Sequence, residues 1–169
     1  MNAWASGFRA QAAVDFQSAE YLLDKPEFHS QATMLLQMAW EKLAKSALVG
    51  RPDYRASHHV ASKFVRNLKH DARRFGRAMG LGPNGAAARL TELAQQLTSL
   101  EGLAPQRAGG ENSEYPWESG GKVLWPARDL RRDFTSAQPR RMCVWRDFHA
   151  VARYLRSLPQ ATPRRTARL

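Results

Sequence analysis

Apolar residues recur at helical spacing along most of this chain, in five stretches set apart by proline and glycine. The first stretch, about 3–24, carries a stripe of Trp4, Phe8, Ala12, Ala19 and Leu22, and Lys25-Pro26 ends it. The second, about 27–49, buries Phe28, Ala32, Leu35, Leu36, Ala39, Trp40, Leu43 and Ala47; Gly50 caps it and Pro52 prevents its continuation. A third helix starts near Ser57, a good N-cap residue, and buries Val60, Phe64, Leu68, Ala72 and Phe75. After a turn at Gly80, Gly82, Pro83 and Gly85, the fourth, about 86–100, shows Leu90, Leu93, Leu97 and Leu100. The last, about 141–157, buries Val144, Phe148, Val151 and Leu155 before Pro159. The pattern predicts an all-α fold, an antiparallel bundle of about five helices forming one domain over 1–158.

Between the fourth and last helices, over about 102–140, the periodicity stops. Gly109-Gly110, Gly120-Gly121, Pro105, Pro116 and Pro126 make this a long irregular loop. Tyr115, Trp117, Val123, Leu124 and Trp125 argue for an extended segment that packs aromatic rings onto the bundle. Tyr115 and Trp117 also have the chemistry to stack on nucleobases, so both readings stand. Residues 159–169 read as a flexible basic tail.

The charge is one-sided. The chain has 169 residues and a formal net charge of +11, and twenty of its 26 basic residues are arginines. Eleven arginines lie in 128–169 against Asp129, Asp133 and Asp147, a net of +8. Clustered arginine binds phosphate in bidentate fashion and releases counterions, so RNA or another polyanion is the expected partner. Cys143 is the only cysteine, which rules out an intrachain disulfide or a cysteine-based zinc site and points to a reducing cytoplasm. No apolar run approaches the roughly 20 residues that a membrane span needs, and MNAWASGFRAQ has no apolar signal core. No membrane role, cofactor or metal is expected.

The segment 28–68 carries more than a pattern. Its helix holds Gln37, Glu41, Lys42 and Lys45 within QMAWEKLAKSAL; an arginine-bearing loop follows, and the pair His58-His59 opens the next helix. This arrangement resembles the HEPN domain, a bacterial and archaeal helical-bundle family; the likeness covers about 10–75 well and the rest loosely. Ribonucleases of that family carry an arginine followed, after a short spacer, by a histidine. Arg51-PDYRAS-His58 matches that form with six intervening residues. The resemblance implies homodimers whose cleft assembles two arginine–histidine pairs. It also implies roles in toxin–antitoxin, antiphage or RNA-processing systems, with an antitoxin or a nucleotidyltransferase-like protein as partner.

The chemistry of such a site needs no metal. His58 or His59 can act as general base on an RNA 2′-hydroxyl or as acid on the leaving oxygen. Arg51 can stabilise charge at the phosphorus, and a helix N-terminus favours a nearby phosphate. Asp15 projects into the first helix's apolar stripe, where a carboxylate needs a partner: Arg51, His58 or a lysine of the second helix. It either orients a catalytic histidine or ties helices together. Glu41 and Lys45 have the spacing of a helix-stabilising ion pair, while Lys42 or Lys45 beside the histidines would contact phosphate. On the last helix Arg146, His149, Arg153 and Arg156 share one face, opposite the apolar one, and form a phosphate-binding stripe by type and spacing. The leading expectation is RNA binding with metal-independent endoribonuclease cleavage. The other is a non-catalytic interaction module that holds a protein or nucleic-acid partner in a larger assembly.

Overall fold

The structure, a computed structural model, describes residues 3–49, 59–103, 117–124, 126, 134 and 139–158. It is an all-α bundle. Helix α1 (Ala3–Leu23) is followed by a 3-10 turn (Pro26–Phe28) and α2 (His29–Leu48). Helix α3 (Val60–Leu68), a 3-10 turn (Lys69–Asp71) and α4 (Ala72–Met79) come next, then α5 (Pro83–Glu101). A hairpin of β1 (Trp117–Ser119) and β2 (Lys122–Leu124) follows; a 3-10 turn (Pro139–Arg141), α6 (Cys143–Arg146) and α7 (Phe148–Ser157) complete the order.

Helices α1 and α2 make the most extensive pairing, and α3 and α4 both run along α5. Alanine sets the first contact: Ala5, Ala12 and Ala19 lie buried on α1, with Phe16 and Leu23 filling the space between them. Phe16 stacks on Phe148 of α7 with ring centroids 4.0 Å apart, and Trp40 of α2 meets Phe148 edge-on at 5.3 Å. Leu90, Leu93, Leu97 and Leu100 of α5 supply a fully buried leucine row. These burials remove apolar surface from water and are the main stabilising term, at about 25 cal/mol per Å².

Two aromatic assignments on the sequence-predicted buried faces are overturned. Trp4 is 73% exposed and Phe28 is 40% exposed, whereas Phe16, outside the predicted stripe, is fully buried. Trp4 lies in the first turn of α1, and Phe28 sits in a 3-10 turn rather than in the helix. Val14 and Tyr21 are also exposed, so α1 shows solvent a largely apolar outer face. An open groove of about 360 Å³ ends that face, lined by Ala3, Trp4, Gly7, Phe8, Gln11 and Lys42.

The two helices expected over 57–75 and 141–157 are each interrupted. The 3-10 turn Lys69–Asp71 separates α3 from α4, and the Asp71 carboxylate accepts the Tyr154 hydroxyl of α7. In the last helix Val144 is the carbonyl that a continuous helix would offer to the amide of residue 148. Here it accepts Trp40 Nε1 at 2.8 Å. Helix α4 ends on Gly80 in the left-handed region, where Leu81 N–H reaches the Gly76 carbonyl at 2.8 Å. A Cβ at Gly76 would come within 2.7 Å of the Leu81 carbonyl oxygen, so the tight turn into α5 requires glycine there. The irregular loop contains the hairpin, turned by Gly120 and Gly121 at φ of 59° and 71°, as a two-residue primed turn demands. Tyr115, Trp125 and the tail 159–169 lie outside the described residues. No described helix is long and apolar enough to cross a membrane.

Candidate functional site

Asp15 is buried on α1 at 5% exposure, so its carboxylate must be neutralised where it sits. Of the cations the sequence offered, Lys42 of α2 is the partner found: its ammonium donates to Oδ2, while Gln11 Nε2 donates to Oδ1 at 2.8 Å. Lys42 thus sits between a buried carboxylate and the apolar groove beside Trp4 and Phe8. Lys45 pairs with Glu41 one turn away on the same helix. Both lysines proposed for phosphate contact therefore hold carboxylates.

Arg51 and His58 lie outside the described residues. His59 is described: it is exposed and occupies the N-cap position of α3, with no side-chain cap hydrogen bond. The helix start itself differs from the expectation. Glu101, buried at the end of α5, turns its Oε1 onto the amides of Ala61 at 2.7 Å and Ser62 at 3.0 Å. Those are the donors that a helix N-terminus would present to a phosphate. A carboxylate from the chain already takes these two donors and places a negative charge at the helix start, which disfavours a phosphate there.

Among the described residues Asp147 is the most deeply buried acid, at 0% exposure. Arg89 Nε of α5 approaches its Oδ2 at 2.7 Å, as an ion pair set off the hydrogen-bond direction, and Arg146 Nε donates to Oδ1 at 3.2 Å. This pairing anchors the junction of α6 and α7 to α5. Arg146 also reaches Cys143 Sγ at 3.2 Å. Burial, followed by the neighbouring Glu92 and Asp147 carboxylates, pushes the Cys143 thiol up to about 12, so it remains a protonated packing group rather than a nucleophile. Tyr154 is similar: burial first, then the Asp71 carboxylate, lifts its phenol well above the ordinary range.

The predicted stripe is on the surface. Arg146, His149, Arg153 and Arg156 are all exposed, and Val144, Phe148, Val151 and Leu155 are all buried. The four are not equivalent. Arg146 is shared with Asp147, and the His149 ring stands edge-on to Phe16 at 5.0 Å. Arg153 and Arg156 have no carboxylate within ion-pair distance among the described residues.

Sequence reasoning missed the three acids Asp71, Glu101 and Asp147, each of which answers a partner distant in the chain. Only Glu101 left a trace, as the acid that closes a leucine-striped helix. Among the described residues no group of three His, Cys, Asp or Glu side chains could hold a metal ion. Compared with known proteins, the chain matches no protein-family model, no curated protein and no solved structure.

Proposed function

We propose that the chain is an RNA-binding helical bundle of HEPN-like organisation, acting as a homodimer in a toxin–antitoxin or antiphage system. The observation that supports this most is the α7 face, where every exposed side chain from 146 to 156 is arginine or histidine. A solvated helix face ordinarily mixes acids with bases, and an unmixed one attracts phosphate. Metal-independent cleavage by Arg51 and His58 is the activity that the HEPN resemblance adds to this binding surface. Because Glu101 occupies the α3 amides, Arg51 would carry the phosphate charge without help from that helix end.

Arg153 and Arg156 are the clean test, since Arg146 also shields buried Asp147. The variant Arg153→Gln/Arg156→Gln is expected to bind single-stranded RNA several-fold more weakly. Its plot of log affinity against log salt should be shallower by about 1.4, at about 0.7 per lost contact. Unchanged affinity and slope would make the stripe an ordinary solvated face.

A second reading, a non-catalytic interaction module, rests on α1. Trp4, which lines the groove, and Val14 and Tyr21 further along α1 are exposed there, a surface suited to a protein partner. A nucleotidyltransferase-like partner would belong to this reading. It predicts that RNA cleavage is absent and, where the partner is a protein, that the α1 face is where that partner protects side chains.

A further inference from the structure

The arginine-rich 128–169 segment is not the only place where charge is unbalanced. Residues 60–79 hold six lysines and arginines against a single acid, Asp71. Along α3, the 3-10 turn and α4, the exposed side chains from 63 to 77 are Lys63, Arg66, Asn67, Lys69, His70, Arg73 and Arg77, with no acid among them. None of these has a carboxylate within ion-pair distance among the described residues. Arg66 is held upright by a 2.7 Å hydrogen bond to Thr98 Oγ1 of α5.

Where the acids of this half have gone explains the imbalance. Asp71 turns to the Tyr154 hydroxyl, Glu101 to the α3 amides, and Asp147 to Arg89 and Arg146. Glu101 and Asp147 are buried and Asp71 is half-buried, and each is engaged by a group other than the exposed cations of α3 and α4. The exposed acids among the described residues are Glu20, Asp24 and Glu27, at the far end of α1 and in the turn after it, and Glu92 on α5. Among the described residues of α3, α4, α5 and α7, Glu92 is thus the one exposed acid, while cations are displayed there.

Helix α4 also packs on α7. Phe75 meets Tyr154 edge-on at 5.6 Å, and Arg74 donates to the Ser157 carbonyl at 2.7 Å. The two cationic faces therefore belong to neighbouring helices. From Lys63 to Arg77 the row runs through both helices and the turn between them, long enough to meet several successive phosphates of one strand.

We infer that the exposed face of α3–α4, continued by Arg153 and Arg156 of α7, is a binding surface for an RNA backbone, read through its phosphates rather than its bases. This rests on the RNA-binding reading above and adds a site to it. Side chains in such a row contact phosphate oxygens whatever the base, so binding is expected to be salt-sensitive and indifferent to sequence.

The test titrates fluorescein-labelled single-stranded RNA of mixed sequence with the full chain and with Lys63→Gln/Lys69→Gln/Arg73→Gln/Arg77→Gln. All four residues are exposed, so the thermal midpoint should stay near that of wild type. Affinity should fall by about thirtyfold or more at 0.1 M salt, and the salt slope should become shallower by about 2.8. The charge-keeping variant Lys63→Arg/Lys69→Arg/Arg73→Lys/Arg77→Lys should retain binding. If the quadruple glutamine variant melts early, the pairs Lys63→Gln/Lys69→Gln and Arg73→Gln/Arg77→Gln should each lower the slope by about 1.4. Wild-type binding that the glutamine variants leave intact would overturn this site while leaving RNA binding in place. A wild-type chain that binds no RNA would remove both.

Discussion

Asp15→Ala is expected to destabilise the fold by about 3 kcal/mol, because it strands a lysine rather than merely deleting a carboxylate. Asp15 shares the buried face of α1 with Ala12, Phe16 and Ala19. Its two oxygens are taken by Lys42 and Gln11. Without the carboxylate, the Lys42 ammonium is left beside the apolar groove, and the Gln11 amide loses its acceptor. Lys42 keeps some water, with 21% of its side chain exposed, which holds the loss at the lower end for a buried pair. The double variant Asp15→Ala/Lys42→Met should recover much of the difference, since an apolar replacement of both partners leaves no orphan charge. Urea denaturation reads both. An unchanged midpoint for Asp15→Ala would mean that the pair contributes nothing to the α1–α2 contact.

His58→Ala is expected to lower RNA cleavage by at least about 100-fold, the effect of removing a positioned general acid or base. The argument is chemical. Imidazole moves protons near neutral pH, while Arg51 supplies fixed positive charge at the phosphorus. Cleavage should survive EDTA, require a 2′-hydroxyl, and leave a 2′,3′-cyclic phosphate and a 5′-hydroxyl. It should also follow the fraction that sediments at twice the chain mass, because the proposed cleft takes an arginine–histidine pair from each copy. His59→Ala should matter less, since His59 sits at the N-cap of α3, in a helix start that Glu101 already stabilises. Activity lost in EDTA, or equal in wild type and His58→Ala, would remove this mechanism and leave RNA binding to be judged alone.

The helices were legible because burial follows a period of 3.6 residues, and the leucine rows of α5 and the apolar face of α7 leave little freedom in phase. The phase of α1 was less so. Its buried face is marked by alanines that admit close packing against α2, while the larger Trp4 lies outside, so side-chain size misleads. The interruptions at Asp71 and after α6 could not be read locally. Each depends on a residue far along the chain: Tyr154 in one case, Trp40 and Arg89 in the other. The same holds for the candidate site. Exposure of Arg153 and Arg156 followed from helical projection, but the sequestration of Glu101, Asp147 and Asp71 is a tertiary fact, and it is what leaves the α3–α4 cations unneutralised.

RNA binding by the full wild-type chain across a salt series is the most direct test of a polyanion-binding bundle. Fluorescence anisotropy from about 50 mM to about 300 mM salt should give a straight line of log affinity against log salt. Its slope should lie near −4, as expected for about six phosphate contacts through Lys63, Lys69, Arg73, Arg77, Arg153 and Arg156. Absence of binding at the lowest salt, or binding that salt does not weaken, would contradict it.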